Sequence, residues 1–273
     1  MKKVLSFDVD QTLNVAKTPI AAEMAELLIK CLDKFEVAPI SGQKFEQFLV
    51  QIYEPLKRTG VTNDQLEHLH FFVTQGMRYY RLDTVGRGGK GEVLGERVNI
   101  DNKATDWKLI YKYDLTDEQI QKMTSALENA SKELGYWVDL DNGDEVIENR
   151  ISQVTYSALG QTAGTKEKYA WDPDHKKRKE IAKHAKELAP EFDYEVAGTT
   201  SINVTLPGTN KTFGMKKLLE YLNVTMDEVL YFGDMTQPGG NDYPVVEMGF
   251  ETITVRDWEE TANILRGILA TAG

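Results

Sequence analysis

The chain has 273 residues, 41% of them hydrophobic, which is enough for one large or two modest packed domains. Its 43 acidic against 32 basic side chains give a formal net charge of −11. That balance speaks against a nucleic-acid or anionic-membrane partner and for a small one. A single cysteine, Cys31, excludes an internal disulfide and a cysteine zinc site.

Residues 4–7, Val-Leu-Ser-Phe, form a short apolar run ended by acidic residues, as in a fully buried strand of a parallel sheet. The run is too short for a signal peptide, and no stretch approaches the roughly 20 apolar residues of a membrane span, so a soluble, cytoplasmic protein is expected. Ile20, Met24, Leu27, Leu28 and Cys31 then fall on one helical face, which predicts a buried and inert thiol. Residues 35–40 read as a second strand, so the opening is a strand-helix-strand unit with parallel pairing.

From about Asp83 to Leu206 the pattern changes to alternating strands, such as residues 109–113, and two amphipathic helices. Thr116 with Gln119 makes a capping box ahead of Ile120, Met123, Leu127, Ala130 and Leu134. The other helix, around residues 174–188, carries Lys176, Lys177, Arg178 and Lys179, for which a solvated face is the simpler reading and a phosphate-facing surface the alternative, and the run is left unassigned. The glycine cluster from Gly86 to Gly91 lacks the ending of a phosphate-binding loop and reads as a hairpin loop. Helix-strand alternation returns with a helix at 215–222, strands at 229–232 and 252–255, and a closing helix at 259–269. The expected fold is therefore α/β: a doubly wound parallel core of residues 1–82 and 207–273, with an inserted α/β domain of residues 83–206 containing an antiparallel sheet.

The chemistry concentrates where strands end. Asp8 and Asp10 follow the first strand, in Phe7-Asp8-Val9-Asp10-Gln11-Thr12. Ligands of open parallel sheets bind at the carboxyl ends of strands, so one carboxylate can serve as nucleophile and the other as acid and base. Alone, the pair is equally compatible with a turn. The third core strand also ends in an acid, Asp234, and continues to Gly239-Gly240-Asn241-Asp242. Carboxylates converging in this way call for a hard cation such as magnesium. After the second strand, the hydroxyl of Ser41 and the amide of Gly42 can hold phosphoryl oxygens. Lys217, at the expected start of a helix, can neutralise developing charge.

This order, Asp-x-Asp-x-Thr, Ser-Gly, Gly-x-x-Lys, then Gly-Asp with Asn-Asp, resembles the four motifs of the haloacid dehalogenase superfamily. The placement of the insertion is similar to its type IIB cap subclass, and residues 232–242 are similar to a loop of eukaryotic-type phosphomannomutases. The resemblance implies a Rossmann-like core and an aspartyl-phosphate on Asp8, with Asp10 as acid and base. It further implies Mg2+ bound by Asp8, the backbone carbonyl of Asp10 and Asp234. Ser41, Gly42 and Lys217 would hold the phosphoryl group, with Thr12, Asn241 and Asp242 in support. A phosphorylated sugar would bind between core and cap, and pairing through the cap would give a homodimer.

Two departures bear on the reaction. Gln11 stands where glycine is usual in the first motif. In the cap, Arg150 matches one phosphate-gripping arginine, but Gln161 and Lys168 stand where two others are expected. Glutamine lacks the two-pronged grip of arginine and lysine replaces it in part, so Lys168 is the remaining basic candidate there. A weakened grip favours escape of the monophosphate, which makes a sugar phosphatase the expected activity and a phosphomannomutase the alternative. A non-catalytic binder is the third reading, and retention of both Asp8 and Asp10 opposes it.

Overall fold

Among the residues described by the computed structural model (1–84, 93–100 and 103–271), the strands in chain order begin with β1 (Val4–Phe7), β2 (Glu36–Pro39), β3 (His70–Val73), β4 (Arg78–Leu82), β5 (Glu96–Ile100) and β6 (Lys103–Lys112). They continue with β7 (Ile147–Asn149), β8 (Val154–Ser157), β9 (Asp193–Ala197), β10 (Ser201–Thr205), β11 (Val229–Gly233) and β12 (Glu251–Thr254). The glycine cluster from Gly86 to Gly91 lies outside the described residues.

A parallel sheet in the order β12-β11-β1-β2 forms the centre of the first unit. Its alternation decides which side each side chain meets. Leu5, Phe7, Val37, Leu230 and Phe232 enter a core with helices Ala22–Leu32 and Trp258–Thr271. Val4, Ala38, Ile40, Val229 and Tyr231 enter a second core on the opposite face, against helix Lys211–Leu222. Burial on both faces explains why these strands read as continuous apolar runs. Cys31 is fully buried in the first core, and burial pushes its thiol up to about 12, so it stays an unreactive hydrophobe.

The boundary expected at residue 82 is corrected by the structure. The two compact units are Met1–Lys112 with Asn210–Gly273, and Tyr113–Thr209. β3 lies beside β2 through the bridges Val37↔Leu69 and Ile40↔Phe72, and it opens an antiparallel sheet in the order β3-β4-β6-β5. Trp107 of β6 is 2% exposed and stacks on Phe71 at 4.7 Å, with Phe45 and Tyr53 meeting it edge-on. Such a desolvated aromatic cluster ties β5 and β6 to the first unit.

The second unit has its own core, in which Met123, Leu127, Tyr156, Ile181, Ile202 and Val204 pack together. Its antiparallel sheet runs β7-β8-β10-β9. Helix Asp117–Glu133 begins at the capping box: Thr116 Oγ1 accepts from Gln119 N, and Gln119 Oε1 accepts from Thr116 N. In the basic run, Lys176 and Lys179 are exposed but Arg178 is not. Its guanidinium is wholly buried, 2.7 Å from Asp172 and donating to the carbonyls of Ala197 and Gly198. That corrects the solvated-face expectation for Arg178, because a buried arginine needs a charge partner and the helix start supplies one. Among the described residues, no helix is long and apolar enough to cross a membrane.

One close approach fixes helix Lys211–Leu222. Gly76, at φ +81°, ends the turn after β3, and a Cβ there would lie 2.2 Å from Gly214 Cα. A Cβ on Gly214 would meet Ile40 Cδ1 at 2.3 Å and the Gln75 carbonyl at 2.8 Å. Gly214→Ala should therefore lower stability by about 1–3 kcal/mol through overpacking. Gly267→Ala, in an open helical position, should raise it by about 0.5–1 kcal/mol. Denaturant midpoints of the two variants check both signs.

Candidate active site

β1 and β11 are adjacent and parallel, so the residues that leave them emerge together at the carboxyl end of the sheet. Asp8 extends the pairing, its amide donating to the Phe232 carbonyl at 2.8 Å. The chain then turns at Gln11, whose φ of 65° is left-handed. Glycine takes that conformation without strain, which is the physical reason for glycine being usual there. Asp234 comes directly after β11, and the loop beyond it brings back Asp242, whose carboxylate accepts from Met235 N at 3.0 Å. Gly233 leaves the room: a Cβ there would lie 2.6 Å from the Asp242 carboxyl.

Carboxylate oxygens of Asp8, Asp234 and Asp242 thus lie within 4.8 Å of one another. The ammonium of Lys211 sits among them, 2.5 Å from Asp8 Oδ1, 2.5 Å from Asp242 Oδ1 and 3.2 Å from the Tyr231 hydroxyl. Tyr231 in turn donates to Asp242 at 2.5 Å. Lys211 is 1% exposed and is the first residue of its helix, where the helix dipole disfavours a cation by about 0.3–1 kcal/mol. Two charge-assisted bonds, about 1.5–3 kcal/mol each, outweigh that cost. Burial opposes the ammonium, but Asp242 and Asp8 prevail and hold its pKa well above the usual lysine value.

The carboxylates remain frustrated. Burial pushes the Asp8 carboxyl well above its ordinary range; Lys211 opposes the shift, while Asp242 and Asp234 add to it. Burial, then the charge of Asp242, raises Asp234 to about 6. With all three carboxylates ionised against one ammonium, two negative charges would be left over. An all-oxygen donor set with that surplus fits a hard divalent cation. Asp242 is occupied by Lys211, Tyr231 and Met235 N, which leaves Asp8 and Asp234 as the carboxylates better placed to bind one.

Asp10 lies beside this cluster and is half-buried, its Oδ1 accepting from Lys17 N at 2.8 Å and Gln43 Nε2 at 2.9 Å. Ser41 is buried, with its Oγ accepting from Gln43 N at 3.3 Å, and Gly42 is next in the chain. Thr12 Oγ1 and Asn241 Oδ1 are buried without a hydrogen-bond partner among the described residues. Lys217 is not brought to the cluster. Its ammonium pairs with Glu220 at 2.8 Å, one turn further along the helix. The helix begins at Lys211, behind Asn210, whose side chain accepts from Thr212 N. An asparagine N-cap was the signal that would have found Lys211. Gln43 and Tyr231 were also missed, since nothing local marks a contact between residues 33 positions apart.

Arg150 and Lys168 belong to the second unit. Arg150 Nε donates to Glu148 at 2.8 Å. Lys168 is 8% exposed and donates to the Gln161 carbonyl at 2.8 Å; burial lowers its pKa.

The family model described as eukaryotic phosphomannomutase matches residues 106–271. The chain belongs to this family. It is 27% identical over 247 residues to phosphomannomutase 2 of Dictyostelium discoideum, covering 88% of this chain and 84% of that protein. To the phosphomannomutase of Saccharomyces cerevisiae it is 25% identical over 247 residues, covering 88% and 83%. The fold is that of a haloacid dehalogenase-like hydrolase from Bacteroides thetaiotaomicron, with a TM-score of 0.60 at 15% identity over 98% of this chain and 100% of that one. The phosphomannomutase family and this fold identify a haloacid dehalogenase superfamily enzyme that performs phosphoryl transfer.

For this phosphomannomutase relative, the two lysines should part company. Lys211→Met leaves two buried carboxylates unpaired and should cost about 3–5 kcal/mol of stability along with activity. Lys217→Met should change stability by less than about 1 kcal/mol, because its partner Glu220 is exposed and Lys217 itself is only partly buried. Thermal melts and turnover assays on both variants check this.

Proposed function

We propose that the protein is a magnesium-dependent hexose phosphomutase of phosphomannomutase type, acting through an aspartyl-phosphate on Asp8. The observation that carries the phosphoryl-transfer part is the Lys211 ammonium held against Asp8 at the end of β1, with Asp10 two residues on. The choice of mutase over phosphatase is supported by the family match along residues 106–271 and by the names of its relatives.

Asp8 Oδ1 is engaged by Lys211, so Oδ2 is the oxygen that attacks phosphorus. As the bond from phosphorus to the sugar oxygen breaks, Asp10 gives its proton to that oxygen. In the return step Asp10 takes a proton from the accepting hydroxyl as the phosphoryl group leaves Asp8. Ser41 Oγ and the Gly42 amide hold phosphoryl oxygens, and Lys211 offsets their charge. Asp8, Asp234 and the Asp10 carbonyl would hold magnesium, whose chemistry there is to neutralise the phosphoryl group. The unit of Tyr113–Thr209 would contribute specificity, with Arg150 for the distal phosphate of the sugar.

Hydrolysis is the second reading. It is favoured by Lys168, whose ammonium is tied to the Gln161 carbonyl, so that the distal grip rests more heavily on Arg150.

With mannose 1-phosphate, magnesium and a hexose bisphosphate activator, the expected product is mannose 6-phosphate. Free phosphate as the main product would replace the mutase reading with the phosphatase one. Asp8→Asn should abolish turnover by either route; a variant with wild-type rates would end the nucleophile assignment.

A further inference from the structure

Gln43 sits where two parts of the candidate site, Asp10 and Ser41, meet. Its side-chain Nε2 donates to Asp10 Oδ1 at 2.9 Å, and its backbone amide donates to Ser41 Oγ at 3.3 Å. The backbone is itself held: the Gln43 carbonyl accepts from Thr74 N at 3.0 Å, and Gln75 N donates to the Ser41 carbonyl at 2.9 Å. Thr74, Gln75 and Gly76 are all left-handed, with φ of 47°, 60° and 81°, a run that persists only where its surroundings impose it. Gln43 is 5% exposed, so its side chain is confined rather than free to leave Asp10.

We propose that Gln43 is a positioning residue that decides which oxygen of Asp10 carries the transferred proton. This rests on the assignment of Asp10 as acid and base. Lys17 N and Gln43 Nε2 both donate to Oδ1, and Oδ2 accepts from no described residue. A proton on Oδ1 would confront two N–H groups, so it resides on Oδ2. There it passes to the sugar oxygen as that oxygen's bond to phosphorus breaks and the bond from Asp8 forms. Without the Gln43 amide, the carboxyl can rotate and exchange its two oxygens, and the acid is misaimed although Asp10 is still present.

Gln43→Met keeps the length and removes the donor. With a hexose phosphate, whose alkoxide leaving group needs protonation, kcat should fall about 10–100-fold, part of the 10²–10⁴ a general acid contributes. KM should stay within about threefold, since the loss is confined to the transition state. With p-nitrophenyl phosphate, whose leaving group needs little protonation, the loss should stay below about threefold. Equal losses on the two esters, or none on the hexose phosphate, would overturn the proposal.

The paired variant Asp10→Ala gives a second measurement that does not depend on the aryl ester. Adding Gln43→Met to it should slow the residual hexose phosphate reaction no further; an additive loss would show that Gln43 does not act through Asp10. Wild-type protein inactive on both esters, or an active Asp8→Asn variant, would instead defeat the underlying phosphoryl-transfer reading and is read separately.

Discussion

A buried ammonium, Lys211, held between Asp8 and Asp242, is the interaction on which the candidate site depends. Neither carboxylate is tolerable there alone, because each is almost completely removed from water. Nor is the lysine, placed at a helix end whose dipole opposes it. The three are stable only together, and together they still carry a surplus of negative charge once Asp234 is included. That surplus makes the site receptive to a cation, while the ammonium opposes the protonation of Asp8 that burial favours.

The parallel sheet explains how residues so distant in sequence come to share one place. β1 and β11 run side by side, so Asp8 and Asp234 leave at matched positions. Tyr231 points to the opposite face from Phe232, toward helix Lys211–Leu222, where its hydroxyl reaches both Lys211 and Asp242. Gly76 against Gly214 then sets the height of that helix over the sheet. Strand pairing, helix packing and electrostatics thus converge on the same few atoms.

Much of this was legible in the sequence. β1, β2 and β11 are legible because strands buried on both faces are largely apolar, and Thr116 with Gln119 marks a helix start by local chemistry alone. The carboxylates were found because strand ends are where parallel sheets bind ligands. Lys217 stands out in the sequence because the expected helix starts at about Met215, whereas the helix begins at its asparagine cap, before that methionine. β5 and β6 were assigned to the insertion because alternation reveals a strand but not the sheet that receives it. Only the burial of Trp107 among Phe71, Phe45 and Tyr53 decides that. Gln43 against Asp10 could not be read at all, since a side-chain contact across 33 positions is written in the fold rather than in any local pattern.

The location of the unit boundaries has a practical meaning for recombination between relatives. The chain crosses between units after Lys112 and before Asn210, and the second unit closes its own apolar core. A segment exchanged at those two joints would travel with its packing intact. One cut at residue 82 would carry away β5 and β6, taking Trp107 from beneath the first unit and leaving β4 as an uncovered edge. The natural unit of exchange is therefore the shorter segment.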